Sequence, residues 1–463
     1  MLQSSSECPP IARPPKGGGG GLRLLGGMVL LLLLAAGAAP AVAAEREPDL
    51  VIFFSGGTEG YIDQCGCSRF PMGGLGRRGG YIRSVRRRWP GAAAVLLDGG
   101  NFFDQPGLIG DVKTRGLVRG MNYLGYRLAA VGERDLVGGF EHFQETTGDA
   151  RFPIICANLV REDTRIPLLP PATLVVAGEL KIGVVGLMRH NPALRLDLAG
   201  GGHAITVPAL PALENALMAL RDQSDLIVLL ATMPLEDVRL LVRRVSEVEL
   251  VLGAFGSRAT SRAVIEGRAR ILYVGDQGKN LGQVNVYRGS SGSLSLEPRL
   301  VQINEKIPPD PHLEQLVVEV LADAQDAERA TLTAMDPSGE GGTGAYLGAG
   351  ACAACHSAIV EDWSSSAHAL ALESLKREPN GMRPACIACH VTGYGQVGGW
   401  VDQRTTPHLA GVGCEACHGP GASHVAHPKR PYGRISLPTC TSCHTVELDP
   451  DFNYYGDLPL VSH

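Results

Sequence analysis

Cys352-Ala353-Ala354-Cys355-His356 opens a run of four matching pentapeptides, continued by Cys386-Ile387-Ala388-Cys389-His390, Cys414-Glu415-Ala416-Cys417-His418 and Cys440-Thr441-Ser442-Cys443-His444. Two thiols two residues apart can each form a thioether with one vinyl group of a haem, and the histidine that follows is delivered to the iron. Paired C-x-x-C is also a zinc arrangement, but zinc does not require a histidine directly after each pair, and all four pairs have one. A disulfide framework meets the same objection. The spacing predicts four covalently bound haems c. Cys352, Cys355, Cys386, Cys389, Cys414, Cys417, Cys440 and Cys443 are the expected attachment residues, and His356, His390, His418 and His444 the expected proximal ligands.

Successive motifs begin 34, 28 and 26 residues apart. That is too little chain to wrap each haem in its own core, so the porphyrins are expected to supply much of the apolar interior and to lie close together, as a conduit for electrons. Met382 is the one methionine of this region, so Met/His ligation can serve at most one iron. Five further histidines are spare: His368, His408, His424, His427 and His463. Bis-histidine ligation is therefore the default, and it favours lower potentials than Met/His ligation. Any one of the five is also readable as a solvated surface residue, His463 at the chain end first among them.

Cys352–His356 followed by Trp363-Ser364-Ser365-Ser366-Ala367-His368-Ala369, and the run Gly411-Val412-Gly413-Cys414 through His424 (GVGCEACHGPGASH), resemble the tetrahaem cytochrome c family. That is the family of the electron acceptor of hydroxylamine oxidoreductase and its multihaem relatives. The likeness covers roughly residues 346–445. It implies His368 and His424 as distal iron ligands, and it implies that one haem can be five-coordinate without saying which.

Outward from this region the composition changes. Of twelve cysteines in 463 residues, eight fall after residue 350, whereas the preceding chain is apolar and glycine-rich. A net charge of −5 argues against nucleic acid as a partner. Residues 1–44 read as a cleaved export signal: Arg13, Lys16 and Arg23, then the apolar Leu22–Ala39, then the small residues Ala41-Val42-Ala43-Ala44. A retained anchor is the alternative, since the apolar run is near the lower limit for a span. No cysteine ends that run, which argues against a lipoprotein, and no second long apolar run follows. The mature chain is expected to be exported, periplasmic and not membrane-spanning.

Short apolar runs at Leu50–Phe54, Ala94–Leu97, Ile182–Leu187, Leu226–Leu230 and Ile271–Val274 read as strands covered on both faces. Pro234 to Val245 has helical spacing of Leu235, Val238, Leu241, Val242 and Val245. The class expected for residues 45–305 is α/β. Residues 306–345 read as one helix from about Pro308 to Leu332 and a Gly-rich linker, Asp336 to Gly344. Residues 346–463 form the cysteine-rich domain, expected to be mostly helical and irregular.

Residues 48–300 resemble the 5′-nucleotidase branch of the calcineurin-like metallophosphatases. The framework segments are GGLGRRGGYI (73–82), VLLDGGNFF (95–103), MNYLGYRLAAVGERD (121–135), FPIICANL (152–159) and ILYVGDQGKNLGQVNV (271–286). The resemblance implies an α/β sandwich that in the family binds two metal ions. This chain departs at the ligand places. Gly57-Thr58-Glu59 stands for Asp-x-His, Asn101 for the bridging Asp, Glu133-Arg134 for Asn-His, and Thr232, Phe255 and Ser257 for the later histidines. His142, His190 and His203 lie at no motif position. No di-metal phosphatase centre is expected, although Glu59, Glu133 and Asp135 could hold a hard ion. Cys65-Gly66-Cys67 sits beside this place. It reads either as inert or oxidised thiols or as a thiolate site joined by Cys156.

Together these readings point to an exported electron-transfer protein. Its expected partners are redox proteins or quinol-linked electron donors. A carrier is favoured over an enzyme. The alternatives are an oxidoreductase acting on a small nitrogen or sulfur substrate, at an open haem or at the Cys65/Cys67 loop, and, behind it, a haem-tethered phosphoesterase.

Overall fold

The computed structural model describes residues 46–65, 71–334, 346–377, 384–429, 431–445, 448–449 and 451–463. The expected export signal, the Gly-rich linker, Met382, Cys67 and the Cys65 side chain lie outside the described residues.

Every apolar run singled out above is a strand. Leu50–Ser55, Ala93–Asp98, Leu128–Ala130 and Ile154–Ile155 pair in parallel, and Asn280–Arg288 and Leu294–Gln302 extend that sheet antiparallel. A second six-stranded sheet has a parallel centre of Leu180–Met188, Leu226–Thr232, Leu250–Gly253 and Ala269–Tyr273. Ala172–Ala177 and Val264–Glu266 flank it antiparallel.

Central strands such as Leu50–Ser55, Leu226–Thr232 and Leu250–Gly253 are almost wholly apolar because both faces are covered. Leu50, Ile52 and Phe54 point between the sheets with Val95, Leu97, Ile182, Val228 and Leu252. Val51 and Phe53 point the other way, under the helices Leu75–Arg88, Leu108–Leu124 and Phe140–Thr146. The outer face of the second sheet is covered by Ala209–Met218 and Leu235–Arg244, the latter through Leu235, Val238, Leu241 and Val242. The result is a four-layer helix–sheet–sheet–helix sandwich, the α/β class expected.

The helix Pro311–Ala334 belongs to the packing of this sandwich. Asp310 caps it by accepting the backbone N–H groups of His312 and Leu313 at 3.0 and 3.2 Å. Leu313, Leu316, Val317 and Val320 then enter the outer core. Gly116 allows this approach, since a Cβ there would stand 2.5 Å from Val320. The far end of the helix meets the cysteine-rich region, where Arg329 lies 3.5 Å from Asp402 and Glu328 lies beside Tyr394.

Residues 346–463 contain short helices and no strand among the described residues: Ala349–Ser364, Ala371–Lys376, Pro384–Ile387, Cys414–His418, Ala422–Ala426, Leu437–Thr441 and Tyr454–Asp457. Among the described residues the apolar core here is Leu372, Leu375, Ile387, Val391, Trp400 and Leu409, with a few partly buried neighbours. A core this small is what the motif spacing implied. No helix among the described residues is long and apolar enough to cross a membrane.

Candidate functional site

Each C-x-x-C-H motif lies on or at the end of a short helical turn, which puts the two thiols on one side and the histidine beyond them. In the first, His356 (φ −121°, ψ 42°) breaks the helix Ala349–Ser364. Motifs distant in sequence converge: the Cys352 thiol lies against Cys414, and the Cys389 thiol against Cys443. Glu415, inside the third motif, ties this arrangement together. Its buried carboxylate accepts from Leu347 N (2.9 Å), Gly348 N (2.7 Å) and Gly421 N (2.6 Å).

Three of the four expected proximal histidines have Nδ1 against an acceptor. His390 faces Ala371 O at 2.8 Å, His418 faces Gly433 O at 3.0 Å, and His444 faces the Asp449 carboxylate at 2.6 Å. An acceptor at Nδ1 holds the proton there and leaves Nε2 as the free lone pair, the tautomer a metal requires.

The expected distal residues divide. An imidazole nitrogen sits about 2 Å from a metal such as zinc. Two imidazoles on opposite sides of one iron would therefore hold their ring centres roughly 6 Å apart, by the same bond length. The rings of His368 and His444 are 6.1 Å apart, at 75°. Burial, and secondarily His444, lower the pKa of His368, which favours the neutral form needed for ligation. His418 and His463 are 5.8 Å apart, at 63°. His463, the residue least expected to matter, thus faces a motif histidine, and no feature of local sequence could have shown it. His424 is placed differently: it stacks on Tyr432 at 4.6 Å and 7°, and its Nδ1 is buried without a hydrogen-bond partner. The donor set fits haem c, since thioether-forming pairs, Nε2-presenting imidazoles and facing rings occur together.

In the sandwich, the loops that would carry metal ligands do meet at one end of the two sheets. Gly57 N donates to Gly100 O, Glu59 N to Asn101 O, and Asn101 Nδ2 to Ala254 O. Glu59 and Asn101 keep positive φ angles of 54° and 56°, a backbone shape costly for non-glycine residues. Side chains of the wrong charge fill the place. Arg189 forms a bidentate pair with Glu133 at 2.7 and 3.0 Å and lies over Phe255. Arg134 Nε donates to Phe103 O, and its Nη1 is 3.9 Å from Glu59. Thr232 is buried and donates to Val131 O. Asp135, considered above as an ion ligand, is instead buried and accepts backbone N–H groups from Asn101, Phe102, Phe103 and Gly132. His142 faces Asp111 and lies edge-on to Phe103, and His190 faces Thr206. Cys156 is also spoken for. Burial pushes its thiol up to about 11, and it donates to Asn158 Oδ1, as a thiol of the core does.

Taken together, the C-terminal region carries the motifs and ring arrangement of multihaem c-type cytochromes, and the N-terminal region has a metallophosphatase fold. Residues 351–419 match the family described as cytochrome c554 and c-prime. Cytochrome c-554 of Nitrosomonas europaea is 42 % identical over 85 residues, covering 15 % of this chain and 36 % of that protein. The C-type polyheme cytochrome OmcB of Geobacter sulfurreducens is 36 % identical over 67 residues, covering 13 % of this chain and 9 % of that one. The chain thus spans about a third of one relative and under a tenth of the other. Among solved structures, the sulfate thiohydrolase SoxB of Thermus thermophilus superposes with a TM-score of 0.53 at 19 % identity, over 61 % of this chain and 62 % of that one. A 5′-nucleotidase precursor, also from Thermus thermophilus, gives 0.51 at 20 %, over 60 % and 59 %. At these identities the likeness is one of fold.

Proposed function

We propose that the chain is an exported tetrahaem c-type cytochrome that passes electrons between redox proteins, or from a quinol-linked donor, through haems held at its four C-x-x-C-H motifs. The observation that carries this reading is the facing of His368 and His444, which brings a histidine outside the motifs to the distance that one shared iron requires. Haem c, when bound, supplies reversible one-electron transfer, and bis-histidine ligation sets it toward low potential. The chain's own part is to fix the imidazoles. Ala371 O, Gly433 O and Asp449 hold protons at Nδ1 of His390, His418 and His444. His368 with His444, and His463 with His418, would hold two of the irons, and His424 would hold another.

The sandwich in this reading is a catalytically silent scaffold for the haem region. Two cations roughly 3.5–4 Å apart are needed for family-type hydrolysis, and Arg134 and Arg189 bring positive charge to that place. Intact mass of the denatured mature protein should show four haems added, because thioethers survive denaturation. A mass with zinc or with no addition would sink the proposal. Replacing His368, His424 or His463 by Ala should each turn one haem high-spin with all four still attached. A wild-type low-spin spectrum in all three variants would refute the ligand assignment.

A further inference from the structure

The segment between the third and fourth motifs lies against two histidines at once. Tyr432 stacks on His424 at 4.6 Å and 7°, close to parallel. The same ring lies 5.7 Å from His418, at 25°. The tyrosine is itself held, since its hydroxyl donates to Gly419 O in the turn that follows the third motif. The next residue, Gly433, gives its carbonyl to His418 Nδ1 at 3.0 Å. That approach needs a glycine: φ is +26°, and a Cβ would stand 2.0 Å from His418 O.

The two imidazoles differ in what fixes them. His418 has a hydrogen bond at Nδ1, which sets both its tautomer and its rotation about the Cβ–ring bond. His424 has none, as its Nδ1 is buried and unpartnered. A histidine without a second hydrogen bond is free to rotate about its metal–nitrogen axis unless packing prevents it. Here the packing is one flat ring, parallel to within 7°. Offset stacking of aromatic rings is a favourable, orientation-dependent contact.

We propose that Tyr432 is a positioning residue that fixes the ring plane of His424, and that with Gly433 it makes one clamp on the imidazoles of two irons. The inference rests on the ligand roles given to His418 and His424 above. Ligand-plane orientation and ligand basicity are among the means by which a protein sets a haem's electronic state. A change at Tyr432 therefore reaches the iron without removing a ligand.

The test uses the full-length protein with all four haems attached, verified by mass. Low-temperature EPR of low-spin ferric haem is sensitive to the relative orientation of the two axial imidazole planes. Tyr432→Leu removes the ring and should shift the g-values of at least one low-spin centre, together with its midpoint potential, at unchanged haem count. Tyr432→Phe keeps the ring, loses only the bond to Gly419, and should retain the wild-type g-values. A Tyr432→Leu spectrum that superimposes on the wild type overturns the proposal, as does a Tyr432→Phe shift as large as that of Tyr432→Leu. Should Tyr432→Leu lose haem, Tyr432→Trp is read in its place: its larger ring must displace His424, and unchanged g-values overturn the proposal equally. A wild-type protein without low-spin signals would refute the ligand assignment itself, and is distinguishable from these outcomes.

Discussion

Glu415→Gln should destabilise the haem region far more than a glutamate change at the surface. Glu415 is 2 % exposed, and its two oxygens take the N–H groups of Leu347, Gly348 and Gly421. These groups come from the start of the region and from the turn after the third motif, so one carboxylate joins segments almost 70 residues apart. The amide of glutamine keeps one acceptor and turns the other into a donor. Whichever way it is oriented, it faces at least one buried N–H with another donor and weakens the shared Leu347 bond. A buried donor left without its partner costs about 1–3 kcal/mol. Two such losses, and the replacement of charge-assisted by neutral bonds, suggest about 3 kcal/mol in all. For a domain of this size that corresponds to a fall in Tm of roughly 10 °C. The assay is thermal unfolding followed by circular dichroism in the Soret region, which reports the folded surroundings of the attached haems. Glu373→Gln is the control: its side chain is exposed and pairs only with Lys376 on the same helix. A Glu415→Gln loss no larger than that of the control would refute the reasoning.

Asp449→Asn should raise the midpoint potential of one haem, since the Asp449 carboxylate on His444 Nδ1 strengthens the imidazole as a donor to oxidised iron; a potentiometric titration identical to wild type would exclude this role. The sandwich should hydrolyse neither nucleotides nor simple phosphate esters with added manganese or zinc, and metal-dependent turnover abolished by Asn101→Ala would overturn the silent-scaffold reading. Burial raises the Asp135 carboxyl to about 7 against the opposing pull of backbone N–H donors. Because its folded pKa lies above the unfolded value, the folded state holds the extra proton between about pH 4 and 7. Stability of the sandwich should therefore fall as pH rises through that window, measured as urea midpoints, and Asp135→Asn should flatten this part of the profile.

The parts of this protein legible in its sequence are those whose physics is local. The C-x-x-C-H signal is a matter of five consecutive residues, so Cys352–His356 and its three counterparts can be read without knowing where the chain takes them. Strands such as Leu50–Ser55 and Leu226–Thr232 are continuous apolar runs because both faces are covered, and that condition is written into every residue of the run. The departure at the family's ligand places was equally plain, because Gly57 and Phe255 offer no donor side chain in any fold. What tertiary structure alone decided is which distant groups meet. The cysteine-rich region has little periodicity and, among the described residues, a core of six buried apolar side chains, so the path between motifs follows no pattern that can be counted along the chain. The facing of His463 and His418, the three N–H groups gathered by Glu415 and the Arg189–Glu133 pair all depend on that path or on loop positions at the sheet ends. A histidine at a chain terminus and a glutamate between two cysteines look like bystanders in one dimension. They meet their partners only because the fold closes the distance.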